Sequence, residues 1–358
     1  MIKKNIYLAF TIQKSAVSDY YLQLVQLLNE KYNVFIFSPQ TDYVNQIDIQ
    51  GVKVFVWPNS RPTKFKDFIF LTKKIIRHRP VIMISAFGSV NLFAIVGFLL
   101  FIKNRIAWVH TLSSQMKSHK FLDLRKKMVY RFCTLLISNS EATKMDLVKK
   151  FSVSQSKIKV VYNSTVSPDI KETTLNFRKI TYAGRIHVSK GVDVLIKAMS
   201  LIIDEYPELE LEIVGAFLEG EAIQRYLKLT KELNLDKNIK FIGWKSKREL
   251  LEIFRNSYFT VVPSLAEAFG YVVIESFSVK TPVIGSNTGG IAEIIRDGKD
   301  GFLFTPGDSE ELSKKMKYLL SNSDLRENLS KSCYDRFLNN FESEKVLRKF
   351  MDYLLYLS

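Results

Sequence analysis

Short apolar runs recur along this chain, each followed by a longer stretch in which apolar residues return every three to four positions. The short runs read as strands and the longer stretches as helices. In the first half the strand-like runs are NIYLAF (5–10), NVFIFSP (33–39), VKVFVW (52–57), VIMISA (81–86), RIAWVH (105–110), LLISNS (135–140) and IKVVYN (158–163). Helical spacing falls between them, over 19–30, 66–77, 91–102, 121–132 and 141–151. The segment 163–179 is polar, holds Pro168 and keeps no period, which marks a linker. The alternation then restarts with KITYAG, LELEIVG, IKFIGW, FTVVPS, PVIGS and GFLFTP as strands. Helices are predicted over 192–206, 221–234, 247–256, 271–279 and 291–296, and from 309 onward.

Strands alternating with helices predict an α/β protein with parallel sheets covered on both faces. At 358 residues the chain suits two such domains. The expected division is a doubly wound, Rossmann-like domain over 1–165, a linker over 166–179 and a second Rossmann-like domain over 180–340. The amphipathic tail 341–358 is expected to pack back on the first domain. Two doubly wound units imply a cleft between them, and open α/β sheets bind ligands at the carboxyl ends of their strands.

Composition supports this picture. With 47% apolar and 13% aromatic residues, each half can bury a core, so disorder is excluded. Cys133 and Cys333 have neither CxxC nor Cys/His spacing, which argues against a zinc site or disulfide framework and for a reducing compartment. The opening MIKKNIYLAF reads as a first strand rather than a signal peptide. The uncharged run 81–102 is long enough to raise a membrane span. Ser85, Gly88, Ser89, Asn91 and Gly97 interrupt it, and a buried strand–helix unit is the expected reading.

Charge separates the halves. Residues 1–170 hold 25 Lys+Arg against 9 Asp+Glu, whereas residues 171–358 hold 27 of each. The basic residues cluster beside aromatics in RPTKFK (61–66), KKIIRHR (73–79) and KSHKFLDLRKKMVYRF (117–132). Such clusters can be solvated helix faces. Three in one half favour an anionic membrane surface, and no nucleic-acid-binding motif accompanies them.

No GxGxxG follows the first strand, which leaves a dinucleotide dehydrogenase with little support. The chemistry concentrates in the second half. In YAGRIHVSKG a strand ends at Gly184, and Arg185 and Lys190 flank a turn closed by Gly191. Two cations in a strand-to-helix loop can neutralise a diphosphate, although a basic surface loop would look the same. In PSLAEAFGYVVIE, Glu267 lies in the loop after a strand and Glu275 one turn into the next helix. Between them, the backbone of Phe269 and Gly270 leads into a helix start suited to an anion. A carboxylate at Glu275 can accept both hydroxyls of a ribose, and a solvated helix charge is the alternative for either glutamate alone. The strand-end glycine loop IVGAFLEGE, with Gly215, adds weaker support.

The second half resembles the nucleotide-binding domain of glycosyltransferase family 4, retaining enzymes of the GT-B fold. GRIHVSKG, PSLAEAFGYVVIE, PVIGSNTGG and GFLFTPGD carry the likeness, in that order, over about residues 180–308. The resemblance implies that Arg185 and Lys190 hold a donor diphosphate and Glu275 the ribose. Glu267, with the Phe269–Gly270 backbone, would contact the transferred sugar. Gly184, Gly215, Tyr271 and Val272 would complete the donor site in 180–340, leaving 1–165 as the acceptor side. In the first half WVHT places His110 where the family often has an active-site histidine, and SNSEATKMDL is also similar. The family's glycine-rich loop after the first strand is missing here, where the chain reads TIQKSAVSDYY.

The activity this implies is retaining, hexosyltransferase-type transfer from a nucleotide sugar, with UDP-sugar favoured, to a hydroxyl acceptor. The acceptor expected is a lipid-linked or cell-surface glycan precursor in polysaccharide biosynthesis. No D-x-D occurs, and His78, His119 and His187 lack ligand spacing, so no metal or other cofactor is expected. The expected location is cytoplasmic and peripheral, at the inner face of a membrane. The alternatives are a GT-B sugar-nucleotide epimerase and a non-catalytic nucleotide-sugar-binding partner of a glycosylation complex.

Overall fold

Mostly apolar strands such as Ile82–Ala86 and Ser257–Val262 are buried along their whole length, as strands of a parallel sheet covered on both faces must be. The computed structural model describes residues 3–116, 119–169, 175–216 and 220–357. Lys117 and Ser118 of the third basic cluster, 170–174 of the expected linker and 217–219 of the IVGAFLEGE loop lie outside the described residues. The chain forms two units, Met1–Ser164 with Ser343–Ser358, and Thr165–Glu342.

The first unit runs β1 (Lys4–Ala9), α1 (Ala16–Lys31), β2 (Tyr32–Ser38), β3 (Lys53–Val56), α2 (Phe65–His78), β4 (Ile82–Ala86) and α3 (Val90–Leu99). It continues with β5 (Asn104–Val109), α4 (Lys120–Phe132), β6 (Leu135–Ser138), α5 (Glu141–Phe151) and β7 (Ile158–Val160). Within the described residues these strands form one parallel sheet, ordered β3-β2-β1-β4-β5-β6-β7. Helix α1 begins at Ala16 because Ser15 caps it, its hydroxyl accepting from the Ser18 amide at 3.2 Å. Helix α2 ends where Arg79 turns left-handed (φ 46°), just before Pro80. The uncharged run 81–102 resolves into β4 and α3, so it is a strand–helix unit. Helix α3 stops three residues before the expected end, and Phe101 is left-handed (φ 57°).

Helices α2 to α5 pack on one face of this sheet, in the clusters around Phe37, Phe93 and Leu71 and around Ala107, Tyr130 and Leu147. The other face is covered by α1 and by α13 (Ser343–Leu357), whose Leu347, Phe350, Met351 and Leu354 are buried with Leu24 and Trp108. Their spacing of three and four residues is the apolar stripe of an amphipathic helix.

The second unit runs β8 (Asn176–Ala183), α6 (Val192–Ser200), β9 (Glu210–Val214), α7 (Gly220–Glu232), β10 (Ile239–Gly243), α8 (Lys247–Arg255) and β11 (Ser257–Val262). It closes with α9 (Tyr271–Ser278), β12 (Val283–Ser286), α10 (Ile291–Ile294), β13 (Gly301–Phe304), α11 (Ser309–Leu320) and α12 (Ser323–Asn340). Its described strands are parallel, ordered β10-β9-β8-β11-β12-β13. Two expectations shift. Strand β8 begins at Asn176, inside the stretch expected to be linker, because its pairing with β11 starts at Ser257. Helix α6 ends at Ser200 rather than 206, and hydrogen-bonded turns lead on to Leu209.

Candidate functional site

In the second sheet the chain leaves β8 toward β9 and β10, then crosses to the other side for β11. The loops after β8 and β11 therefore diverge, and the crevice between such loops is where doubly wound sheets take ligands. Every residue expected to bind the donor lies in or beside these loops or, for Gly215, in the neighbouring loop after β9.

The loop after β8 is held by close backbone approach. The Gly184 amide donates to the Val214 carbonyl at 2.9 Å, and Ile186 to Ala216 at 3.1 Å. Gly215 has φ 155°, and a Cβ there would lie 1.8 Å from the Gly184 carbonyl oxygen, so only glycine lets the two loops meet. The buried Tyr182 hydroxyl donates to the Arg185 carbonyl at 2.9 Å, which fixes the backbone while the guanidinium stays exposed. Among the described residues Arg185 makes no ion pair. The loop ends in a short 3-10 turn, Val188–Lys190, where His187 Nδ1 accepts from the Ser189 amide at 3.2 Å.

The two loops are then fastened together. The Leu265 amide donates to the Ser189 carbonyl at 2.9 Å. Gly191 is left-handed (φ 66°), and a Cβ there would meet the Pro263 carbonyl oxygen at 2.0 Å. Lys190 Nζ lies 2.5 Å from Glu267 Oε2, with both side chains largely buried. An ammonium has three donors, so this bond leaves others for a ligand.

Beyond Glu267 the chain enters α9 through Gly270, whose φ of 110° only glycine accepts readily. Among the described residues α9 has no side-chain cap at Gly270 and no acidic residue in its first turn, so its N-terminal dipole suits an anion. Phe269 and Glu275 are buried, Glu275 one turn into the helix, with Tyr271 and Val272 partly exposed before it. The loop is supported from behind by the segment after β12. The Gly290 amide donates to the Glu267 carbonyl at 3.0 Å, and Ser286 Oγ to the Ser264 carbonyl at 2.5 Å. A Cβ on Gly290 would lie 2.4 Å from Phe269 Cα. In the sequence PVIGSNTGG contributes to the family likeness, and its paired glycines are the signal of this support.

His110 belongs to the first unit, directly after β5. Its Nε2 lies 2.7 Å from the Tyr21 hydroxyl, and its ring stacks on Phe87 and Trp108 at 5.3 and 5.9 Å. Burial lowers its pKa to about 3, against the opposing influence of the Asn163 side chain. The imidazole is therefore neutral at neutral pH, a hydrogen-bonding group rather than a cation. Neither Tyr21 nor Asn163 was singled out from the sequence, since each lies more than 50 residues from His110.

Among the described residues no group of three or more His, Cys, Asp or Glu is placed to hold a metal ion. Both cysteines are free and buried. No helix of the described residues is long and apolar enough to cross a membrane.

Comparison with known proteins covers most of the chain. Residues 166–336 match the family model of glycosyl transferases group 1, and residues 17–165 that of glycosyltransferase family 4. The chain is 26% identical over 261 residues to a D-inositol 3-phosphate glycosyltransferase of Corynebacterium jeikeium, covering 64% of this chain and 62% of that protein. The matched stretch thus spans about three fifths of that relative's length. It is also 25% identical over 351 residues to the capsular polysaccharide biosynthesis glycosyltransferase CapM of Staphylococcus aureus, covering 90% of each. Among solved structures, Anabaena HepE in complex with UDP superposes with a TM-score of 0.85 at 17% identity, over 99% of this chain and 100% of that one. This last likeness shows the fold, two Rossmann-like domains of GT-B type.

Proposed function

From the premise that the chain belongs to glycosyltransferase family 4, we propose that it transfers a sugar from a nucleotide-sugar donor to a hydroxyl acceptor, with retention of anomeric configuration. The observation that carries this reading is the Lys190–Glu267 pair, 2.5 Å apart, tying together the two switch-point loops beside the uncapped start of α9. Arg185, Lys190 and the α9 amides would take the donor diphosphate, and Glu275 the ribose hydroxyls. Glu267 and the Phe269–Gly270 backbone would meet the sugar, with Gly184, Gly215, Tyr271 and Val272 shaping the site. The UDP in the HepE complex favours a uridine nucleotide.

In this mechanism the leaving phosphate departs on the face by which the acceptor hydroxyl enters, and a phosphate oxygen takes the hydroxyl proton. The protein's part is to stabilise charge on the departing diphosphate, with two side-chain cations and a helix terminus in place of a metal ion. His110, neutral and hydrogen-bonded to Tyr21, would orient a sugar hydroxyl.

The acceptor side is assigned to the first unit, with a lipid-linked or cell-surface glycan precursor as substrate; the relation to CapM supports a polysaccharide pathway. Docking on the inner face of an anionic membrane is supported by apolar side chains exposed on the α2–α4 layer among lysines and arginines. Phe65, Phe98, Phe101, Phe121 and Leu124 all stand out in this way.

The test is turnover of a panel of sugar nucleotides, with and without candidate acceptors, by the intact chain and by Lys190→Ala. Consumption of one donor, raised by an acceptor that takes up its sugar and reduced about 10²–10³-fold by the substitution, is expected. Acceptor-independent conversion to an epimeric donor would identify an epimerase, and tight donor binding without turnover a binding partner. Unchanged turnover by Lys190→Ala would overturn the role of that residue.

A further inference from the structure

The amino edge of the first sheet, opposite the edge that carries His110, gathers cations around a small cavity. Helices of a parallel sheet run back against its strands, so α4 and α5 end on this edge, just before β6 and β7 begin. The cavity between those helix ends measures about 100 Å³. That is well below the roughly 300–1,000 Å³ of sites for drug-sized ligands, and it suits a single tetrahedral anion.

Lys127 and Arg131 of α4, Lys157 before β7, and Ser152 and Ser154 line it, and among the described residues no carboxylate does. Lys127 and Arg131 are four positions apart and share a face of α4. Lys157 Nζ donates to the carbonyls of Tyr130 and Arg131, at 2.8 and 3.1 Å. This contact satisfies the end of α4, the structural use of a lysine at a helix terminus. It also fixes the ammonium in place and leaves one of its three donors. Lys127 Nζ donates to Ser152 Oγ at 3.0 Å, with two donors left. The Arg131 guanidinium makes no ion pair among the described residues, and its planar fork matches phosphate.

Charge decides what these donors suit. Two helix C-termini bring about half a negative charge each, which against three cations leaves a surplus of about two. A phosphate monoester carries about −1.5 to −2 near neutral pH and would balance that surplus, whereas a singly charged carboxylate or phosphodiester would leave about half of it.

We infer that this pocket binds a phosphate monoester dianion, apart from the proposed donor crevice and independently of the transfer reading. A soluble phosphate ester and a phosphomonoester lipid headgroup share this chemistry. Leu124 and Met128, each three positions before one of the two α4 cations, are exposed and would meet acyl chains beside such a headgroup.

The experiment is calorimetric titration of the full chain with glycerol 3-phosphate, and with acetate and dimethyl phosphate as singly charged probes. Lys127→Gln with Arg131→Gln removes two cations and leaves Lys157 on its helix end. Ser154→Asp sets a carboxylate at the pocket and removes no cation. The controls are Lys73→Gln with Arg77→Gln, which takes the same charge from α2, and Arg185→Gln in the proposed donor loop. Glycerol 3-phosphate should bind at least about tenfold more tightly than either other probe, and at least about tenfold more weakly to both pocket variants. Both controls should bind it as the wild type does. Flotation with phosphatidylcholine vesicles carrying phosphatidate or phosphatidylglycerol, at matched surface charge, finds the source. A preference for phosphatidate that the pocket variants lose supports the site and assigns its phosphate to a lipid. Glycerol 3-phosphate binding without that preference supports it with a soluble ester. The proposal is overturned if glycerol 3-phosphate does not bind, if the singly charged probes bind as well, or if the pocket variants bind as wild type. Loss in Arg185→Gln alone would put the phosphate on the donor loop, and an equal loss in the α2 control would reduce the effect to diffuse charge; either also overturns it.

Discussion

Replacing Gly290 by alanine perturbs the proposed donor loop from behind, without replacing any residue proposed to meet the donor. Gly290 has φ −68° and ψ −21°, ordinary helical values, so alanine brings no backbone strain. The added methyl would lie 2.4 Å from both Phe269 Cα and its carbonyl oxygen, where ordinary contact begins near 3.4 Å. The Glu267–Gly270 loop must therefore retreat by about 1 Å, and a misplacement of that size can cost about 10²-fold in rate. At 1.36 kcal/mol per tenfold, this is about 2.7 kcal/mol of transition-state stabilisation. Overpacking of this kind also costs about 1–3 kcal/mol of stability, so the melting temperature should fall by several degrees while the chain stays folded at 25 °C. Initial-rate kinetics with the best donor of the panel, beside thermal melts, separate the two effects. A variant with a lowered melting temperature and full kcat/KM would refute the argument, because the loop would have moved without consequence. Unchanged values of both would show that the close approach is absent.

The other expectations concern the first unit. His110→Phe should keep the ring packing but remove a group whose pKa is lowered by burial. Because the unfolded chain binds a proton near pH 6.5 and the folded histidine only near pH 3, His110 makes stability fall as pH drops through that window and has no such effect above it. Urea unfolding from pH 7 to pH 4 should therefore show a shallower loss for His110→Phe, and parallel curves would contradict the buried, neutral state. Activity of the same variant should fall if the imidazole orients a sugar hydroxyl; full activity would confine His110 to a structural role. Phe101 is 92% exposed, so Phe101→Ser should leave the melting temperature unchanged and weaken flotation with vesicles rich in anionic lipid. Flotation of the wild type should decline with added salt, as screening shortens the reach of surface charge, and an absence of flotation at low salt would reject the membrane surface.

Periodicity alone was enough for the two parallel sheets, because strands buried on both faces are largely apolar and their helices amphipathic. The candidate loops were legible for a similarly local reason. Phosphate chemistry needs cations and glycines at strand ends, and GRIHVSKG and PSLAEAFG hold them within a few positions of one another. Element ends were less legible. The sequence around 176–179 looks polar, yet it is strand because β11 offers it a partner.

What remained for the tertiary structure was everything set by meetings between distant segments. Lys190 and Glu267 are 77 positions apart and were assigned to separate ligand groups, but folding makes them an ion pair. In the sequence Gly215 is only weak support for the donor site, and its necessity lies in the Gly184 carbonyl oxygen that any Cβ would strike. Gly290 has the same kind of reason in the backbone of Phe269. Lys127 and Arg131 were two members of a basic cluster until the fold placed Lys157 beside them around one cavity. A sequence states which groups are available and in what local order. Which of them become neighbours depends on strand order, and that is fixed only when both sheets close around their cores.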